Sequence, residues 1–373
     1  MRLLTTTWLG IVAGVFFIFI SGGLFAYDLI KITDKLDQPW GVVVIEKRDA
    51  YLITTRGGVL YFVNALGEKR KIDGLPLIKE YGQGGLLDVA LSHDFDESGR
   101  IYLSFAHPSN QGFATRLIAA KIDFDDYSLS DHQTLYTQNT RSFSKRHFGG
   151  RIGVDEAGAI YLTLGDRGDR KSSQDTQNDN GAIVRFDHKG EPLADNPYVG
   201  DEMASAYIYS YGHRNPQGLA FDDQGRLWVT EHGARGGDEL NLIKKGANYG
   251  WPIIAYGRHY SGFKIGEGTH KPGLEQPHYY WDPSMAPSGL AVYLGGVDYG
   301  WQKGDMLAGA LKFRQIVRLR AKGDKAELLE TIKLPAFGRI RDLDFSKAGE
   351  LLILSAGRGG NSKNDGALFL LKP

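Results

Sequence analysis

The chain has 373 residues, 44 basic against 44 acidic side chains, 49 glycines and no cysteine. A balanced charge with no basic stripe offers no footprint for nucleic acid, and the lack of thiols excludes disulfides and thiolate metal centres. This length buries one large all-β domain or two to three smaller ones.

At the N-terminus, Arg2 precedes an uncharged run from Leu3 to Tyr27, and Asp28 ends it. A basic residue ahead of an apolar run is the pattern of an export signal, and this run is long enough to span a bilayer. Leu24-Phe-Ala26 is a poor cleavage site because Leu24 is not small, which favours a retained anchor. The expectation is a signal or membrane tether over residues 1–27. The body, residues 28–373, then lies outside the cytoplasm, in the periplasm or on the outer face of the inner membrane.

Beyond it the chain repeats. A first unit combines Trp40-Gly-Val-Val-Val-Ile45 with Tyr51-Leu-Ile-Thr54 and Gly58-Val-Leu-Tyr-Phe-Val63. In the next, Leu86–Leu91 leads into Asp96-Glu-Ser-Gly-Arg-Ile-Tyr-Leu-Ser104. That segment recurs as Asp155-Glu-Ala-Gly-Ala-Ile-Tyr-Leu-Thr163, as Asp222-Asp-Gln-Gly-Arg-Leu-Trp-Val-Thr230 and, more weakly, as Ser346-Lys-Ala-Gly-Glu-Leu-Leu-Ile-Leu354. In each, an Asp or Ser opens a tight turn, Gly takes a positive φ three residues later, and an apolar strand follows. A short apolar strand precedes each turn, so each unit holds a hairpin. A looser unit runs through Gly289–Tyr293, Asp305–Leu311 and Gln315–Leu319. About six units and no helical periodicity predict an all-β fold, a six-bladed β-propeller of four-stranded antiparallel blades. Gly366–Leu371 is expected to close the ring with N-terminal strands.

Polar groups beside the inner strands are the candidates for chemistry, because propeller ligands bind where loops converge on the axis. In chain order these are Tyr81-Gly-Gln-Gly-Gly-Leu86 and Arg146-His-Phe-Gly-Gly-Arg151, then Tyr211-Gly-His-Arg-Asn-Pro-Gln217. Glu231-His-Gly-Ala-Arg-Gly-Gly-Asp-Glu239 and Asn248-Tyr-Gly-Trp251 follow, and Lys312 and Arg339-Ile-Arg341 come last. Gly-rich backbone can turn carbonyls toward a hard cation and the Asp238/Glu239 pair supplies charge, as calcium coordination requires. Arg339 and Arg341 alternate on a strand and so share a face. A mouth holding His147, Arg214, Asn215, Lys312, Arg339 and Arg341 suits an anionic, oxygen-rich ligand.

These ordered motifs, with Ala-Pro-Ser-Gly at 286–289, resemble the soluble pyrroloquinoline quinone (PQQ)-dependent glucose/sorbosone dehydrogenases, and most of all their aldose sugar dehydrogenase branch, from about Leu36 to Pro373. The resemblance implies oxidation of the anomeric hydroxyl of an aldose to a lactone, with PQQ and Ca2+ as cofactors and an external electron acceptor. His147 would be the general base and Gln83 would help to hold the sugar. Arg214 and Asn215 would meet the quinone oxygens, with Lys312, Arg339 and Arg341 on the cofactor's carboxylates and Ser284 in that wall. Gly233 and Ala234 would offer carbonyls to calcium, and Asp238, Glu239 and Tyr249 would form the neighbouring calcium site. Arg146 stands where glucose-oxidising relatives carry an acid, and Asp282 where they carry an aromatic residue. The competing readings are a propeller sugar-lactone hydrolase and a non-catalytic sugar- or protein-binding propeller. The first would need converging acidic ligands rather than cations.

Overall fold

The computed structural model describes residues 16–17, 27–359 and 363–373. The export segment expected over residues 1–27 lies almost wholly outside them. Among the described residues no helix is long and apolar enough to cross a membrane.

Six antiparallel sheets form the six blades. Five run outward in chain order, each from an inner strand: Pro39–Ile45, Leu86–Leu91, Ile152–Val154, Pro216–Phe221 and Pro287–Val292 open blades 1 to 5. Blade 6 runs outward through Ile340–Phe345, Leu351–Ser355 and Gly366–Lys372, and its next strand is Asp28–Leu36, from the other end of the chain. The two-residue strand Phe16–Phe17 pairs beyond it, on Leu29 and Asp28. This pairing of the chain's two ends closes the ring, as the apolar run near the C-terminus predicts.

The hairpin turns follow the repeat. Asp155 accepts the backbone N–H groups of Ala157 and Ala159, and Asp222 those of Gln224 and Arg226, as a side chain that mimics a turn should. The glycines that follow, Gly99, Gly158, Gly225 and Gly349, all have positive φ between 65° and 82°. At Asp96 the turn has tightened into a one-turn helix, Phe95–Ser98, and Asp94 rather than Asp96 accepts the local hydroxyls of Ser92 and Ser98.

In blades 1 to 4 a hydroxyl residue on the second strand joins one blade to the next. Thr54 donates to Leu87 O of blade 2, Ser104 to Gly150 O, Thr163 to Pro216 O and Thr230 to Ser288 O. In blade 5 the corresponding position is Gly309, and Ser288 supplies the bond to Ile340 O of blade 6 instead. Apolar cores lie between neighbouring sheets; Leu52, Leu86, Leu103 and Ile118, for example, form part of the core shared by blades 1 and 2.

On the axis, Arg151 bonds Asp88 at 3.0 Å and Asp342 at 2.8 Å, and its Nε reaches Gln217 O. Asp88 also accepts Ile152 N–H and Asp342 accepts Val42 N–H, so one ionic cluster ties the inner strands of several blades together. Gly41 passes so close beneath it that a Cβ would lie 2.4 Å from the Asp88 carboxylate.

Tyr27, assigned to the leader on sequence, belongs to the folded body. It is 1% exposed, its ring packs against Tyr299 and Trp301, and its hydroxyl accepts Trp301 Nε1–H at 3.1 Å. Tyr27→Ala should therefore cost about 3–5 kcal/mol of stability, read from the urea midpoint. An unchanged midpoint would mean that the ring does not depend on its N-terminal strand.

Candidate active site

The axial cavity, about 340 Å³, opens at the N-terminal ends of the inner strands. Arg56, Arg339 and Arg341 line it, with Gln83, Trp40, Asn215, Gln217 and His232, and no carboxylate faces it among its lining residues. Arg56 is paired with Glu80. Arg341 is buried over the Trp40 ring, 4.2 Å from its centroid, and one Nη donates to Gln217. The Nε atoms of Arg339 and Arg341 are buried without a partner among the described residues. Desolvation, with the nearby Arg151 charge adding to it, pulls the Arg341 guanidinium down to about 9. A buried cation this poorly compensated is expensive unless an anion meets it.

His147 follows a loop that is held at each step. Gln83 N–H donates to Lys145 O, Arg167 donates to Arg146 O and Ser144 O, and His147 N–H donates to the Gln83 side chain at 2.7 Å. The histidine itself has φ +55°, a left-handed conformation that such anchoring must maintain. Its Nδ1 lies 2.5 Å from Asp166 Oδ1. Asp166 also accepts Gly168 N–H and, on its other oxygen, Trp251 Nε1–H. The carboxylate therefore holds the proton on Nδ1 and leaves Nε2, which makes no hydrogen bond among the described residues, as the basic atom. Burial is the main cause of a His147 pKa below the ordinary value; Asp166 opposes it and Arg214 adds to it. Asp166 is a candidate site residue that sequence reasoning missed. Its signal was Leu164-Gly-Asp-Arg-Gly168, a glycine-flanked acid immediately after the second strand of its blade.

Arg214 borders a smaller cleft that shares His232 with this cavity. Its backbone N–H is fixed by Glu231, its guanidinium donates to His232 O, and Trp251 lies 5.4 Å away. Asn215 receives Gly149 N–H and Gln217 Nε2–H. His232, which lines both spaces, donates from Nε2 to Pro287 O, and burial drops its pKa to about 4, so it is neutral.

The cleft measures about 20 Å³, room for one ion or water molecule. Gly233, Ala234, Glu239, Tyr249 and Glu231 border it. Its loop can only be glycine-built: a Cβ on Gly233 would fall 2.3 Å from the carbonyl oxygens of both Gly236 and Gly237. Glu239 stands directly across the sheet from Glu231, and burial and that neighbour raise its carboxyl to about 8. Two facing acids of one sign are costly until a cation joins them. The described residues assemble no group of three His, Asp or Glu side chains able to hold a metal, so a cation here would depend on backbone carbonyls.

Several expected members are differently employed. Asp238 and Glu239 adjoin on one strand, so they point to opposite faces. Asp238 accepts Gly233 N–H, the Ser284 hydroxyl and Ala286 N–H and so fastens the loop instead of facing the cleft. Ser284 is thereby used outside the large cavity, and Asp282 is exposed. The Tyr249 hydroxyl donates to Leu242 O and accepts Lys244 N–H, while its ring stacks on His213; only its other atoms border the cleft. Lys312 is exposed, with its ammonium over Phe313; of the six residues expected in one mouth, Asn215, Arg339 and Arg341 line the cavity, whereas Lys312, His147 and Arg214 lie outside its lining, Arg214 bordering the cleft instead.

Known proteins resemble this chain over most of its length. The family model for glucose/sorbosone dehydrogenase matches residues 36–369. The chain is 39% identical to the Escherichia coli aldose sugar dehydrogenase YliI over 87% of this chain and 88% of the relative. It is 26% identical to quinoprotein glucose dehydrogenase B of Acinetobacter calcoaceticus, over 92% of this chain and 88% of that one. The apo crystal structure of the soluble E. coli aldose sugar dehydrogenase superposes with a TM-score of 0.88 at 35% identity, covering 93% of this chain and 99% of that one. The PQQ-bound aldose sugar dehydrogenase of Streptomyces coelicolor does so with 0.77 at 28%, covering 93% and 98%. A six-bladed propeller, the ordered motifs and these matches agree: the chain is an oxidoreductase that belongs to the glucose/sorbosone dehydrogenase family.

Proposed function

We propose that the protein oxidises the anomeric hydroxyl of an aldose to a lactone, with PQQ in the axial cavity, calcium in the adjoining cleft and an external electron acceptor. The observation that carries this reading is the carboxylate-free wall, where Arg339 and Arg341 keep buried Nε atoms with no partner among the described residues, joined through Gln83 to the His147–Asp166 pair. PQQ, whose three carboxylates suit such a wall, supplies the two-electron acceptor for the C1 hydride when bound. Arg339 and Arg341 would hold those carboxylates, and Arg214 and Asn215 the polar end near the cleft. Lys312 and Ser284 lie outside the lining and are left at the rim and in the loop support, respectively.

The chain's own chemistry is proton removal. Asp166 keeps the His147 ring in one tautomer, so Nε2 takes the C1 hydroxyl proton as C1 is oxidised. The lowered pKa keeps His147 neutral, and thus basic, at neutral pH. Gln83, anchored to His147 N–H through its oxygen, leaves its amide N–H groups for sugar hydroxyls. Export, carried by the N-terminal run, would place this chemistry in the periplasm or on the outer face of the inner membrane.

For calcium, Glu239 and the carbonyls of Gly233 and Ala234 are the donors on this reading, with Asp238 as support and Tyr249 contributing through its backbone. Chelation should lower the melting temperature, and calcium at a hundred times its Kd should return about 2.7 kcal/mol. Because Glu239 must lose its proton to bind metal, affinity should rise as pH climbs toward about 8 and fall as pH drops below it. Glu239→Gln should remove both responses; a melting curve indifferent to chelator would exclude the site. Reconstitution with PQQ and calcium, then a screen of aldoses with an artificial acceptor, tests the whole reading. Failure to bind PQQ would overturn it.

A further inference from the structure

A net charge of zero hides an uneven spread of charge along the propeller axis. Each inner strand runs from the mouth to the far face, so the hairpin turn that follows it lies on that far face. Because an acid opens most of these turns, the fold plants negative charge there. Asp94, Asp96, Glu97, Glu156, Asp223 and Asp298 are all exposed on them.

The rim beside His147 has the opposite sign. Besides Arg146, residues 138–149, 164–173 and 256–264 carry Lys145, Arg170, Lys171, Arg258 and Lys264, all exposed and none in an ion pair among the described residues. Asp169 is the only exposed acid on these three segments. The segments are tied into one surface. His147 meets Asp166, Arg167 donates to the carbonyls of Ser144 and Arg146, and Arg170 lies 3.0 Å from His259 Nδ1. On the same surface stand Phe143, 64% exposed, and Phe263, 75% exposed. Exposed aromatic rings among unpaired charges of one sign are what a protein interface uses, the rings for burial and the charge for steering. Beneath the cavity the axis is plugged. The Trp40 ring has the Arg341 guanidinium at 4.2 Å and that of Arg151 at 4.4 Å, and Arg151 is locked to Asp88 and Asp342. A partner that collects electrons from the cavity therefore approaches at the mouth.

Resting on the dehydrogenase reading above, we propose that this rim docks an acidic, water-soluble protein that carries one electron at a time and returns the cofactor to its oxidised form. One aldose and two oxidised carriers give one lactone, two reduced carriers and two protons, so each turnover takes two successive dockings. The acidic far face repels such a partner, and the field of the whole molecule turns it toward the mouth.

Cytochrome c is the probe, in two forms that share one haem: the native, lysine-rich protein and its fully succinylated, acidic derivative. Their second-order rates of reduction are read at low salt with the PQQ- and calcium-loaded protein and an aldose. Reduction of 1,4-benzoquinone, small and uncharged, reports turnover without docking. Wild type should reduce the acidic form faster than the native one by on the order of tenfold, and added salt should narrow the gap. The double variant Lys171→Glu/Lys264→Glu should lose that preference while its benzoquinone rate stays unchanged. Phe263→Ser should slow reduction of the acidic form at high salt as well, where charge is screened. Calorimetry with the cofactor-free protein should rank the two forms in the same order. Equal or faster reduction of the native form, or a preference untouched by the double variant, overturns the proposal. If benzoquinone is reduced with no aldose, the dehydrogenase reading fails, and the calorimetric ranking alone then decides whether the rim binds an acidic protein.

Discussion

Replacing His147 with glutamine should lower kcat by about two to four orders of magnitude while changing PQQ and calcium affinity little. Glutamine has similar reach and can still bond Asp166, but it offers no basic nitrogen for the C1 hydroxyl proton. On the proposed reading the cofactor wall would be Arg339 and Arg341, on blade 6 and its entry, whereas His147 stands on the loop before blade 3, so the substitution leaves those arginines in place. The pH profile provides an independent check. Burial lowers the His147 pKa, so the neutral base survives to more acidic pH than an ordinary histidine near 6.5. Wild-type kcat should therefore be level at neutral pH and fall only below that value, and Asp166→Asn should lower the plateau by releasing the tautomer. A rate within a few-fold of wild type in His147→Gln would remove this residue from the mechanism.

Arg341→Met should weaken PQQ binding by roughly ten- to a hundredfold, as loss of a desolvated charge-assisted pair predicts. Methionine keeps an apolar stem over Trp40 and deletes only the charge. In the cofactor-free protein that charge is a burden, with Nε unpartnered and the guanidinium drawn down to about 9 by burial and Arg151. The variant's melting temperature without PQQ should accordingly be equal to or above that of wild type. A purely structural arginine would show the opposite pattern: lower stability and unchanged cofactor affinity. Titration of PQQ by absorbance, beside thermal melts, separates the two.

The propeller was legible because its signals are local. Asp–Gly turns at fixed spacing need only a side chain that can bond two residues on and a glycine free to take positive φ, and Asp155, Asp222 and the four turn glycines supply both. Strand alternation likewise placed Arg339 and Arg341 on one face without any structure, and both line the cavity. The same rule applied to Asp238 and Glu239 would have parted them, yet adjacency in sequence read as one charged cluster.

Tertiary structure alone decided which groups distant in the chain meet. His147 meets Asp166 across 19 positions, Glu239 faces Glu231 through strand register, and Arg151 gathers Asp88 and Asp342 from 63 and 191 positions away. No local preference encodes such contacts: the first two arise within blades 3 and 4, from loop placement and strand register, and only the third needs the ring to close and the inner strands to converge on one axis. The sequence therefore determined which elements form and which residue types reach the mouth. Packing and register within blades 3 and 4 decided which acid bonds His147 and which carboxylates face the cleft, and closure gathered the axial charges around Arg151.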